Sequence, residues 1–264
     1  MVGMSTAVSS VTASEYLSRI LAREVVDRRS AAELEDVSTK IDLLCTAWGG
    51  EHIVEVMPGG GFEKATANRS GICMDFVVWI RTQSSRRIPE IYESMFTTFG
   101  RLGLKPIQRD VTIALRVGDN MVVDILPAKR LSMISDIHEI YSSRRSLAIT
   151  TNLHQHVLDT HEANRQDEIR ILKLWRDQNG LDFPSFYLEL AVTAALRRRP
   201  VGALADNVWA ALGFLERLLV PRAMLDPANA ANIVSDELTS AQKRSIAMAA
   251  SAARNGRPWS EIVR

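Results

Sequence analysis

Gly60-Gly61-Phe62-Glu63-Lys64-Ala65-Thr66-Ala67-Asn68-Arg69, continued by Ser70-Gly71-Ile72-Cys73-Met74-Asp75-Phe76, decides how the rest of this chain is read. It is a glycine turn, a polar loop and an apolar strand with a carboxylate near its start. Backbone N–H groups around glycines can cradle phosphate, because no Cβ blocks the approach. A carboxylate at the mouth of the strand can hold a divalent cation against those phosphates. Taken alone, the stretch reads more simply as a tight turn entering a strand whose Asp is exposed.

Working outward, a second carboxylate changes the weighing. Asp124 lies in Met121-Val122-Val123-Asp124-Ile125-Leu126-Pro127-Ala128. An Asp inside an apolar strand is costly unless it is paired, hydrogen-bonded or bound to metal. If the two short strands are neighbours, Asp75 and Asp124 converge, and such carboxylates can hold metal for in-line phosphoryl transfer. The competing account is an ion pair between either Asp and an arginine such as Arg81 or Arg116.

Around these strands the pattern alternates between helix and strand. Apolar residues recur at three- and four-residue steps over 11–48, with Thr12 or Ser14 as cap and Gly49-Gly50 as stop. Strands are expected at 52–57, 74–80, 107–117 and 121–126, the last two joined by Gly118-Asp119-Asn120, and an amphipathic helix at 89–102. After Pro127 helices dominate, at 152–179, 184–198, 204–219 and 239–254, with a short hairpin at 137–141 and 146–149. The expected architecture is α+β: residues 1–130 as an N-terminal helix plus a small mixed-sheet lobe, and residues 131–264 as a helical lobe. Ligands often sit in the cleft between two such lobes.

Composition bounds the function. The 264 residues include 32 basic and 31 acidic side chains, so bulk charge gives no argument for nonspecific nucleic-acid binding. Hydrophobic residues make up 46%, an ordinary globular share. Two cysteines make no disulfide framework and no CxxC zinc site, which fits a reducing cytoplasm. Residues 1–10 are small and polar, expected to fray, and unlike a signal peptide; no run of ~20 apolar residues offers a membrane span, so no membrane partner is expected. His154, His156 and His161 do not share a helix face and make a poor zinc site. Arg197-Arg198-Arg199 reads as a solvated helix end, and Trp175, Trp209 and Trp259 as core.

In these residues the chain resembles the nucleotidyltransferases of the DNA polymerase β superfamily, closest to the branch of oligoadenylate synthetase, bacterial cyclic-oligonucleotide synthases and archaeal CCA-adding enzymes. That pattern is a Gly-Ser turn, a Lys-Gly-Thr loop, Asp-hydrophobic-Asp on a strand, and a third Asp on a later strand before Pro-Ala. Here Gly60-Gly61 stands for the turn, Lys64 and Thr66 match the loop, Arg69 has a common equivalent, Asp75 matches the second carboxylate and Asp124 the third. Arg170-Ile171-Leu172-Lys173-Leu174-Trp175-Arg176 resembles the helix whose Lys contacts the donor triphosphate. Pro184-Ser185-Phe186-Tyr187-Leu188-Glu189 resembles the next helix start, where Ser meets phosphate. Asp226-Pro227, Asn229 and Asn232 resemble a late Asp-Pro-x-Asn segment.

The resemblance implies a polymerase β-like nucleotidyltransferase fold and transfer of a nucleoside monophosphate from a nucleoside triphosphate to a hydroxyl. It implies Mg²⁺ or Mn²⁺ on Asp75 and Asp124, and the triphosphate on Gly60, Gly61, Lys64, Thr66, Lys173 and Ser185. One departure stands out: Cys73 occupies the place of the first metal-binding carboxylate. A thiol near its reference pKa of about 8.5 is a poor magnesium ligand. The alternative is therefore a catalytically impaired nucleotide-binding or regulatory protein on the same fold. The acceptor stays open between a nucleotide, an RNA end and a protein hydroxyl, and the sequence is silent on oligomeric state.

Overall fold

The computed structural model describes residues 12–26, 28–71, 73–117, 121–218 and 223–264, with the backbone alone at 28–34, 73 and 218. The chain opens with α1 (Ala13–Arg23) and α2 (Arg28–Gly49), followed by β1 (Ile53–Gly59), α3 (Gly60–Glu63), β2 (Cys73–Ile80) and α4 (Ile88–Arg101). Next come β3 (Ile107–Gln108), β4 (Ile113–Val117), β5 (Met121–Arg130), β6 (His138–Ser142) and β7 (Leu147–Thr151). The remainder is α5 (Leu153–Ala163), α6 (Gln166–Gln178), α7 (Ser185–Leu196), α8 (Leu204–Leu218), β8 (Leu225–Asp226), β9 (Asn229–Ile233), α9 (Ser240–Arg254) and α10 (Trp259–Ile262). Residues 1–10 and the Gly118-Asp119-Asn120 turn lie outside the described residues.

The expected α+β class holds. A mixed sheet runs β1-β2-β5-β4-β3, and β6 and β7 extend it from the far end of β5. β2 and β5 are parallel and form its centre; β1 and β4 flank them antiparallel. The apolar faces of α2 (Val37, Ile41, Cys45) and α4 (Ile88, Ile91, Tyr92, Met95, Phe99) bury one side of the sheet against Phe76, Val78, Val123 and Ile125. A second core belongs to the helices. α7 is apolar almost all round and lies at its middle. α1, capped by reciprocal Thr12 and Glu15 hydrogen bonds, packs into this helical core through Leu17, Ile20 and Leu21.

Several sequence expectations change, and the first is that the strand over 107–117 is two, β3 and β4, with a turn between them. The single helix over 152–179 is two, because Asn164 takes a left-handed conformation (φ 49°) and closes α5. β5 continues through Pro127 to Arg130: it stays paired with β2 throughout, and proline sits where the other edge is open, between the end of β4 opposite Ile125 and the start of β6 opposite Lys129. The hairpin β8–β9, unmarked by apolar alternation, is pinned by side chains. The end of α7 is satisfied by buried Arg165, which donates to the carbonyls of Leu196 (3.1 Å), Pro200 (3.1 Å) and Arg199, while Arg197, Arg198 and Arg199 are exposed as expected. Among the described residues no helix is long and apolar enough to cross a membrane.

Candidate active site

Asp75 and Asp124 face each other across the central parallel pair, at the same register level of β2 and β5. Gly59, at the end of β1, stands opposite Asp75 on the other side. The chain then turns sharply at Gly60, where φ is +56° and a Cβ would fall 1.8 Å from Asp75 Oδ2. Only glycine fits there, and the fit lets the Gly61 N–H reach Asp75 Oδ2 at 3.3 Å. Burial and then the charge of Asp124 push the Asp75 carboxyl up to about 6, against the pull of the Gly61 N–H, Lys173 and Lys64.

Asp124 is buried and receives Arg109 Nη1 on Oδ2 at 2.9 Å. The arginine that meets it is thus neither Arg81, which donates to the Glu51 carbonyl, nor Arg116, which is exposed on β4. Arg109 projects from the β3–β4 turn. That turn is fixed: its Arg109 carbonyl accepts from Tyr92 Oη (2.9 Å) and Ser143 Oγ (2.8 Å), and its Arg109 N–H donates to the Thr112 carbonyl.

Beyond the glycine turn the helical half closes in. Lys64 Nζ donates to Glu189 Oε2 (2.7 Å); Lys173 Nζ donates to Glu189 Oε1 (2.9 Å) and Thr66 Oγ1 (2.8 Å). All four residues are buried. Burial would raise the Glu189 carboxyl, and the two ammonium groups override it and hold it down at about 2. Lys64 also lies 5.1 Å over the Phe186 ring. A Cβ on Gly61 would stand 3.5 Å from Lys173 Nζ, so the turn and α6 share one locus.

Gly60, Gly61, Lys64, Thr66, Asp75, Asp124 and Lys173 therefore gather at one place. Ser185 begins α7, and its hydroxyl accepts from Arg176 Nη1 (3.0 Å). Cys73 opens β2; its side chain lies outside the described residues. Glu63 is exposed, and its carbonyl accepts from His161 Nε2. His156 Nε2 donates to Asp226 Oδ1 (2.7 Å), while Thr151 and Asn232 donate to Oδ2. Against the cost of burial, these bonds hold the Asp226 carboxyl near 2. They dock β8–β9 on β7, so the late Asp-Pro-x-Asn segment acts as a clasp. Sequence reasoning missed Glu189 and Arg109. Glu189 had a signal, as the lone charge in the apolar run of α7; Arg109 had none.

Two carboxylates side by side, one titrating high beside the other's charge, make an oxygen donor set suited to a cation. Among the described residues no cluster of three or more His, Cys, Asp or Glu forms a closed metal cage. An ion there would complete its shell with substrate phosphate and water, which is how Mg²⁺ is usually held.

No family model matches the chain, and no curated protein matches its sequence. Solved structures do match. CdnC of E. coli MS115-1 with ATP superposes at TM-score 0.72 and 15% identity, covering 93% of this chain and 91% of that one. The CD-NTase CdnG of Bradyrhizobium diazoefficiens in complex with GTP gives 0.69 and 14%, with 91% of each chain covered. A mutant of the Cid1 poly(U) polymerase bound to MgATP gives 0.65 and 13%, covering 94% and 97%. Across both its sheet and its helical half, this chain has the fold of the polymerase β-like nucleotidyltransferases.

Proposed function

We propose that the chain binds a nucleoside triphosphate between its two halves and transfers the nucleoside monophosphate to a hydroxyl acceptor. The observation that carries this reading is the level placement of Asp75 and Asp124 on adjacent parallel strands, with the glycine turn wrapped on Asp75. The neighbours solved with ATP, GTP and MgATP support it at the level of fold. Asp75 and Asp124 would hold Mg²⁺ or Mn²⁺, which when bound neutralises phosphate charge and activates the attacking oxygen. Gly60 and Gly61 let the backbone approach the phosphates. Lys64 and Lys173 supply two cations, and Glu189 and Thr66 keep both ammonium groups gathered at one point. Ser185, on the first turn of α7, would add a hydroxyl beside free helix N–H groups.

One feature of the sequence favours a second reading, a nucleotide-binding or regulatory protein without turnover: Cys73 falls at the position where the resemblance implies a carboxylate. Labelled nucleoside triphosphates incubated with Mg²⁺ or Mn²⁺ and resolved by HPLC separate the two. Metal-dependent product that vanishes in both Asp75→Asn and Asp124→Asn supports transfer. Binding by calorimetry with no product, and tighter Mg²⁺-dependent binding in Cys73→Asp, supports the second reading. Absence of both binding and product removes the nucleotide site altogether.

A further inference from the structure

The nucleotide reading leaves the guanidinium of Arg109 without a role. Its backbone is clamped from two sides by Tyr92 and Ser143, so its placement is built rather than incidental. Its side chain is 48% exposed, against 8% for that of Asp124, so one end of the pair is buried in the sheet and the other reaches solvent. A divalent cation shared by Asp75 and Asp124 must enter beside a positive charge already bonded to Asp124 Oδ2 at 2.9 Å. A triphosphate entering the same place brings negative charge that a half-exposed guanidinium can follow.

We infer that Arg109 is a positioning residue that holds Asp124 as a resident counter-cation and makes metal entry conditional on nucleotide. The inference rests on the proposed function, since it takes Asp75 and Asp124 as the cation's ligands. Without nucleotide, Arg109 orients Asp124 and opposes a free divalent ion by like-charge repulsion. With nucleotide, it transfers its hydrogen bond from the carboxylate to a phosphate oxygen, and its charge no longer opposes a cation at Asp124. No covalent bond changes in this exchange.

The test is Mn²⁺ binding to the full chain, followed by electron paramagnetic resonance of the free ion, with and without α,β-methylene-ATP. Arg109→Gln should bind Mn²⁺ on the order of tenfold tighter than wild type in the absence of nucleotide. The difference should shrink to within about threefold in its presence. Arg109→Lys should return the nucleotide-free affinity to the wild-type range. Equal or weaker Mn²⁺ binding by the folded Gln variant without nucleotide would overturn the inference, as would failure of Lys to restore it. Wild type that binds Mn²⁺ only together with α,β-methylene-ATP, beside an Arg109→Gln variant that binds it alone, would establish it. Wild type that takes up neither Mn²⁺ nor the analogue, with Arg109→Gln behaving likewise, would instead sink the nucleotide reading on which it rests.

Discussion

Glu189 is flanked by two ammonium groups that would repel each other across a dry gap if it were neutral. Removing one partner of a buried ion pair leaves uncompensated charge, at a cost of roughly 3–5 kcal/mol. Glu189→Gln should therefore lower stability by about 3 kcal/mol, its amide oxygen still accepting one bond. The pH dependence has a definite sign. The Glu189 carboxyl is depressed from 4.5 to about 2, so its contribution is complete above 4.5 and is lost as pH falls towards 2. Chemical denaturation across that window should show the loss in wild type and a flatter limb in Glu189→Gln. Gly60 makes a different demand. Alanine there meets Asp75 Oδ2 at 1.8 Å in a left-handed conformation. Gly60→Ala should cost about 1–3 kcal/mol and abolish metal-coupled nucleotide binding by calorimetry. Gly61→Ser, whose Cβ meets Ala67 N and Lys173 Nζ at 3.5 Å, should stay within about 0.5 kcal/mol of wild type.

Elements with one clear apolar face were legible in the sequence, and those held by polar contacts were not. α4 and α2 show their buried stripe, and β2 and the start of β5 show continuous apolar runs, so the sheet centre and its two carboxylates could be placed. α5 and α6 read as one helix because the break at Asn164 depends on a single backbone conformation. β8–β9 was hidden because its hold on β7 comes from Asp226, Asn229 and Asn232 reaching Thr150 and Thr151. Glu189 stood out only as a lone charge in α7, and its role stayed hidden because its partners Lys64 and Thr66 lie more than 120 positions away. The short helical turn after β9 (Val234–Glu237) buries Val234 in the helical core and brings Glu237 within reach of the Asp110 charge. There burial, then the Asp110 charge, push Glu237 up to about 7. A raised carboxyl contributes stability that is complete below 4.5 and lost as pH rises through 7. Glu237→Gln should thus flatten the fall in melting temperature between pH 5 and 8 seen for wild type in a thermal scan.

The molecule is stitched across its halves at several points. Asn68 Nδ2 donates to the Arg170 carbonyl and Arg170 Nε returns to Asn68 Oδ1, while Arg170 Nη2 ties α6 to α1 within the helical half through the Leu21 carbonyl. Lys173 and Glu189 add a further link by closing on Lys64 and Thr66. ATP with Mn²⁺ should slow amide exchange in 60–68 and in 173–189 together, measured by hydrogen–deuterium mass spectrometry; protection confined to one segment would disconnect them. The packing of α1 reaches further still. Leu17, Ile20 and Leu21 lie in a core whose other members begin at Ile169, and Tyr16 Oη donates to the Val263 carbonyl at 2.9 Å. On a ribosome adding ~5–20 residues per second, the first described helix waits roughly ten to fifty seconds for the surface it belongs to. During that interval its apolar stripe is a bare amphipathic ribbon beside a sheet already able to collapse. Docking of α1 thus waits on a segment made well over a hundred residues after it, and a nascent chain stalled before Ile169 has emerged should present α1 to a holdase.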